Sequence, residues 1–422
     1  MNLPAKKELG LFSIPVIVAA LGYFVDIYDL LLFGIIRQPS LSSLGLTPDQ
    51  VDSKGLLIIN IQMIGLLIGG IVSGILGDKR GRLSVLFGSI LLYSLANIAN
   101  GFVQTVEQYA LCRFIAGLGL AGELGVGITL VSEILPKEKR GIATSMVAGI
   151  GLSGAVLAFV LKEIFDWRTC YFIGGGMGLL LLVTRIGVFE SGMFHALKSK
   201  DVQRGNFLML FSSKDRFYRY LKSILIGLPT WFVIGILVSF SNKFAKEFGI
   251  TDKIDTGKSI MYAYVAISIG DILIGLLSQF LKSRKKALYI FYAITAIGIY
   301  FYFFHLYNSS AERLYLVCGL LGFGTGFWAI FVTMGAEQFG TNLRATAATT
   351  IPNMVRGSLT LITLLFTSLQ GFTSYTTSGL ITGVLVMTIG IIAVYYTRET
   401  FGKDLNYLET NDVIARQASN VT

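Results

Sequence analysis

The sequence predicts an all-α membrane protein of twelve transmembrane helices in two pseudo-symmetric six-helix bundles. Three observations carry that expectation. Of the 422 residues, 53% are hydrophobic and 14% are charged, where soluble domains carry roughly 25% charge. Apolar stretches of about 20 residues, enough to cross a bilayer core, recur twelve times. The motif Glu-x6-Arg occurs at Glu133–Arg140 and again at Glu337–Arg344, each time between the fourth and fifth stretch of its set.

The spans are expected near 12–36, 55–77, 83–103, 108–133, 141–162 and 168–189. They resume near 221–244, 258–281, 287–307, 313–335, 345–369 and 376–397. This divides the chain into a first bundle at 1–189, a polar linker at 190–220, a second bundle at 221–397 and a tail at 398–422. Lys6 and Lys7 before an apolar run mimic a signal peptide. The run continues to about Ile36 without an A-x-A site, so it is expected to be a retained span. The 48 glycines suit helices that approach closely in lipid.

Orientation follows from the 35 lysines and arginines. With the N-terminus inside, most fall on inner loops: Lys79 to Arg82, Lys137 to Arg140, the linker, Lys282 to Lys286 and the tail. Such an excess marks the cytoplasmic side, which puts both termini in the cytoplasm and the protein in the cell (inner) membrane. The net charge of +10 is therefore a topology signal and implies no nucleic-acid partner. The Lys-Ser-Arg-Lys-Lys run at 282–286 reads as an inner-loop anchor.

Several chemistries are excluded. Cys112, Cys170 and Cys318 have no CxxC spacing, and His195 and His305 stand far apart, so no metal site is expected. Gly117-x-Gly119-x2-Gly122 matches the dinucleotide fingerprint by letter, but no strand precedes it and it lies in an apolar span. Its glycines serve helix packing. There is no Walker loop, no nucleophile–base constellation and no cofactor requirement. The chain is not expected to be an enzyme.

Gly77-Asp78-Lys79-Arg80-Gly81-Arg82 resembles the loop signature of the major facilitator superfamily between spans two and three. Arg113-x3-Gly117-x-Gly119-x2-Gly122-Glu123, followed by Ser132-Glu133, resembles the fourth span of its metabolite:proton symporters and their sugar-porter relatives. Asp26-Ile-Tyr-Asp29 resembles the D-x-x-D of aromatic-acid and phosphate symporters. Glu190-Ser191 and Arg398-Glu399-Thr400 resemble the marks after spans six and twelve. The second-half loop departs from the signature, with Gln279 for the acid and Ser283 for glycine. That implies a weaker or differently built clamp in that half.

The resemblance implies a fold of two bundles that rock about a central solute site. It also implies an inner-face gate, in which Asp78, Arg80 and Arg82 act with the pairs Glu133–Arg140 and Glu337–Arg344. Ion pairs that break and reform suit such a two-state element.

Ionisable side chains inside spans are costly, at about 2.5–3.5 kcal/mol each on insertion scales, and are usually functional. Asp26 and Asp29 lie three apart and share a helical face. Two carboxylates so close in a low dielectric do not both ionise easily, as a proton carrier needs. Glu123, at an acidic family position, is the next candidate for coupling. Asp271 stands open between coupling and local structure of its Gly-Asp pair. Arg113 and Arg356 are candidates for attracting an anionic solute, although Arg113 serves equally well to neutralise an acid. Gln62, Asn353, Trp231 and Trp328 are further candidates to line the cavity.

The expected function is secondary active transport of a small polar, anionic metabolite by alternating access, with the proton as coupling ion and the monomer as working unit. An uncoupled facilitator of a neutral solute such as a sugar, a metabolite or siderophore exporter, and a non-transporting sensor are the alternatives.

Overall fold

The computed structural model describes residues 10–184 and 204–409, apart from the side chains at 48, 49, 52, 56, 137 and 138. All regular structure there is helical. The first bundle contains α1 (Ile14–Ser43), α2 (Pro48–Arg80), α3 (Arg82–Asn100), α4 (Val106–Leu120 and Glu123–Ile134), α5 (Lys137–Leu152 and Gly154–Ile164) and α6 (Trp167–Thr184). The second contains α7 (Lys214–Phe232, a π turn at Val233–Val238, then Ser241–Glu247) and α8 (Thr256–Phe280). It continues with α9 (Arg284–Phe304), α10 (Ala311–Gly324 and Trp328–Glu337), α11 (Arg344–Gly357 and Leu359–Leu369) and α12 (Tyr375–Tyr396).

Ten helices of the described residues are long and apolar enough to cross a membrane. The other two are α6, whose predicted end lies beyond the described residues, and α11. The first segment of α11, RATAATTIPNMVRG, is polar yet almost wholly buried, which lowers its hydropathy without moving it out of the bundle. Most ends lie a few residues outside the apolar runs, because polar first turns continue the helix. Thus α7 starts at Lys214, inside the expected linker, with the Ser213 hydroxyl accepting from the Arg216 N–H at 3.3 Å. Glu190, Ser191 and His195 lie outside the described residues.

The repeat is visible in where helices break. The fourth helix of each half is interrupted, α4 at residues 121–122 and α10 at 325–327. So is the fifth, α5 at Ser153 and α11 at Ser358. Breaks at membrane depth are tolerated only where protein or a cavity surrounds the backbone. The α4 break meets the other half directly, where the Asn353 amide donates to the Ala121 carbonyl at 3.1 Å.

The halves meet chiefly along α2 with α11 and α5 with α8, and also where α4 crosses α11. Small residues make this possible. A Cβ at Gly74 would stand 2.8 Å from the Thr346 Cα, and one at Gly125 only 2.4 Å from the Thr349 Cα. The dinucleotide-like glycines do the same inside the first bundle, with a Cβ at Gly117 falling 2.4 Å from the Gln62 carbonyl oxygen. These backbones cannot retreat as a flexible side chain can. Gly125→Val is therefore expected to prevent closure between α4 and α11, against an overpacking cost of about 1–3 kcal/mol. Crosslinking between cysteines placed at Thr144 and Thr333, whose hydroxyls stand 3.0 Å apart across the halves, checks this: it should be efficient in the parent and fail in the variant.

Candidate functional site

Near the middle of the molecule the halves meet around a small cavity of about 20 Å3, closed down in this state. The first half contributes Tyr23, Ile27, Leu30 and Leu152. The second contributes Thr230, Trp231, Ile234, Tyr264, Ile267, Trp328 and Arg356. The polar atoms are unevenly shared, since most of the polar lining belongs to the second half.

Arg356 is the charged residue of this lining. It is 4% exposed. One guanidinium nitrogen donates to Asn353 Oδ1 at 3.1 Å, and the group lies 5.8 Å from the Trp328 ring centre. Among the described residues it forms no ion pair, and its Nε–H has no acceptor. Tyr23 Oη, Thr230 Oγ1, Trp231 Nε1 and Trp328 Nε1 are also buried without a hydrogen-bond partner. Arginine and tryptophan nitrogens are donors only, and the two hydroxyls can donate as well as accept, so these unsatisfied atoms form a surface rich in donors. Buried polar groups in proteins are normally paired. Five orphans around one cavity suit a ligand that brings acceptors of its own. The two indoles stand edge to face, 6.4 Å apart, and offer flat apolar walls beside the cation.

The other predicted residues fall into three places. Arg113 lies within the first half, away from this cavity. It donates to Asp29 Oδ1 at 2.7 Å and to Asn97 Oδ1 at 2.5 Å, and packs 4.8 Å from the Tyr171 ring centre. Arg113 and Asp29 are both fully buried, so their charges balance each other and tie α4 to α1. Asn353 donates to the Ala121 carbonyl at the α4 break, 3.1 Å away, and so orients Arg356 across the interface. Gln62 is buried on α2 and does not line the cavity.

Asp26 is fully buried on α1, between the cavity residues Tyr23 and Ile27. Glu123 is 3% exposed and opens the second segment of α4, where a negative charge suits the helix N-terminus. Asp271 caps the second segment of α10, its Oδ1 accepting from the Ala329 N–H at 3.0 Å.

The third place is the face that carries the α2–α3 turn. There Glu133 Oε1 accepts from Arg82 and from Arg344, each at 2.9 Å, and so bridges the halves. Asp78 lies 3.4 Å from Arg82 and caps α11, accepting from the Thr346 N–H at 2.8 Å and its hydroxyl at 2.7 Å. The repeat motif therefore pairs differently from its expected internal partners: Arg344 crosses to Glu133, while Glu337 takes Arg284 at 3.2 Å. Arg140 donates to the Leu135 carbonyl at 3.2 Å and to that of Lys403 at 3.5 Å. Arg80 is a correction. It is exposed and forms no ion pair among the described residues, because the turn at Gly81 points it away from the buried network.

The second-half turn is differently built, and the tail supplies what it lacks. Glu399 accepts from the Ser283 hydroxyl and, at 3.0 Å, from the Arg284 N–H, so it caps α9 where the loop has no acid. Arg284, unassigned from the sequence, is the counterpart of Arg82, and the spacing of both loops contains that signal. Partial burial opposes the Glu399 charge. The donors from Ser283 and the Phe401, Arg284 and Lys285 N–H groups outweigh it and hold its carboxyl below the ordinary glutamate value. A depressed folded pKa adds stability above the unfolded value, lost as pH falls through the folded one. Amide exchange at Arg284 and Lys285, corrected for its intrinsic pH dependence, should stay slow down to the ordinary carboxylate range and quicken below it. In Glu399→Ala it should be fast throughout.

Comparison with known proteins agrees with this architecture. Residues 19–364 match the model of the Major Facilitator Superfamily. The niacin transporter NiaP of Acinetobacter baylyi is 29% identical over 374 residues, covering 78% of this chain and 81% of its own. The sialic acid transporter NanX of Escherichia coli is 32% identical over 215 residues, half of each chain. The solved structure of the proton:xylose symporter XylE superposes with a TM-score of 0.76 at 17% identity, over 94% of this chain and 97% of that one. The twelve helices, the paired breaks and the bridged α2–α3 turn are thus those of a transporter and not an enzyme: the chain belongs to the Major Facilitator Superfamily.

Proposed function

We propose that the protein carries a small organic carboxylate, planar or aromatic in its apolar part, across the cell membrane by alternating access driven by protons. The observation that carries this reading is Arg356: a buried cation without a carboxylate partner among the described residues, set among unsatisfied donors and two indoles at the junction of the halves. A fixed cation facing a central cavity favours an anion. A carboxylate satisfies guanidinium and indole donors together, and once the halves part its ring or chain has Ile27, Leu30 and Leu152 to lie against. Relatives named for niacin, benzoate and 4-hydroxybenzoate support the same solute class.

The bridged face, which holds the basic loops, is taken as cytoplasmic, with both termini there and the monomer as the working unit. Asp26 and Glu123 are the proposed proton carriers. Protonation removes a buried negative charge from the first half and lets it move against the second. Proteoliposomes with an imposed pH gradient test this, using nicotinate and benzoate as probes. Asp26→Asn and Glu123→Gln should each lose uphill accumulation while retaining exchange. Uphill accumulation surviving in both variants would refute coupling through these acids.

A further inference from the structure

We propose that Asp271 is a positioning residue for the central cavity: from α8 its carboxylate terminates the broken turn of α10 and sets the backbone that carries Trp328. The proposal rests on the reading of that cavity as the solute site, but its structural part stands on its own contacts.

α10 stops at Gly324 and restarts at Trp328. The restarted segment has no side-chain cap of its own: its N-cap residue is Phe327. The first N–H groups of a helix lack intrahelical partners and must find others. Here a different helix provides the acceptor. Asp271 Oδ1 takes the Ala329 N–H at 3.0 Å, and the adjacent Trp328 N–H faces the same carboxylate. Asp271 is fully buried and forms no ion pair among the described residues. The positive end of the helix dipole is what meets its charge.

The approach is close because both sides are glycine. A Cβ at Gly326 would stand 2.7 Å from the Gly270 Cα and 2.9 Å from the Asp271 N. Residues 270 and 271 thus work as one unit. The glycine lets α8 reach the break, and the aspartate fills the empty cap. Trp328 is the first residue of the capped turn. Its indole faces Arg356 and meets Trp231 edge to face. A shift of this backbone moves the indole that flanks the cation. Asp271 is therefore linked to the solute through Trp328 without touching it.

Asparagine keeps a carbonyl oxygen that accepts the same N–H groups, whereas alanine removes the acceptor. The chain has three tryptophans, so replacing Trp167 and Trp231 by phenylalanine leaves Trp328 as sole fluorophore. In that background Asp271→Ala should shift Trp328 emission to the red and increase its quenching by acrylamide, while Asp271→Asn should match the parent. In otherwise wild-type protein, Asp271→Ala should raise the KM for nicotinate about tenfold with kcat less affected, a loss of binding energy. Asp271→Asn should retain both KM and pH-driven accumulation.

Unchanged Trp328 fluorescence in Asp271→Ala would overturn the proposal whether or not nicotinate is carried. An Asp271→Asn protein that exchanges nicotinate but no longer accumulates it would also overturn it, since Asp271 would then carry the proton. If Asp271→Ala fails to fold, the Asp271→Asn accumulation assay decides alone. If no aromatic acid is carried, the fluorescence still decides the positioning and the failure belongs to the solute reading.

Discussion

Arg356→Leu is expected to abolish uptake of an organic anion while leaving the solute-free protein at least as stable as its parent. The two halves of this prediction come from one fact. A buried cation without a counter-ion is costly to keep, and replacing buried charge by a well-packed apolar side chain is often neutral or stabilising. The hydrogen bond to Asn353 and the Trp328 face offset part of that cost. When an anion binds, the same group gains a charge-assisted pair. Removing one partner of such a pair typically costs about 2–5 kcal/mol, or roughly 30- to several-thousand-fold in affinity. Arg356→Lys keeps the charge but loses the flat, forked geometry, so it should fall between. Uptake into proteoliposomes and thermal unfolding in detergent check the two halves separately. Uptake at the parental rate would show that Arg356 does not meet the solute.

The second large effect is expected at the bridged face, proposed above as cytoplasmic. Glu133→Gln removes the one carboxylate that both Arg82 and Arg344 contact at 2.9 Å. All three side chains are wholly shielded from solvent, and breaking a buried pair leaves uncompensated charge at about 3–5 kcal/mol. Asp78, 3.4 Å from Arg82, retains part of the balance for that arginine. Arg82 and Glu133 both belong to the first half, so it is the Glu133–Arg344 arm that exists only while the halves touch, and its loss favours the state in which they separate there. A change of this size shifts a two-state equilibrium by about two to four powers of ten. A cysteine introduced at Ala345, fully buried beside Asp78, should react with a membrane-impermeant maleimide from the inner side in Glu133→Gln and resist it in the parent. Equal protection in both would mean that the bridge does not hold the face shut.

The spans were legible because membrane helices carry their signal in length and apolarity. The breaks were not. Ala121-Gly122 and Thr325 to Phe327 sit in runs that read as continuous, and only the packing of another helix against them shows why the backbone is interrupted. The π turn at Val233–Val238 is equally silent in the pattern, although Pro229 stands just before it. Arg356 was legible because an arginine deep in a span has few reasons to be there. The pairing of Arg113 was open, since its partner comes from α1 and a helix face is not visible across chains of residues. Asp78 and Asp271 show the limit most clearly. Both read as charges, and both act largely as caps on helices of distant sequence. Glu399 was visible as a family mark, but its service to α9 depends on where the tail folds back. Tyr23 and Thr230 gave no signal at all. A tyrosine or threonine in a span is ordinary until its hydroxyl is found without a partner.

The central claim is that the cavity between the bundles is built for an anion around one cation. Isothermal calorimetry on purified protein tests it without depending on transport. The account predicts that nicotinate or benzoate binds the parent, that Arg356→Ala removes the binding, and that a neutral sugar such as xylose binds neither. Equal binding of the carboxylate to parent and Arg356→Ala, or saturable binding of xylose to both, would contradict it.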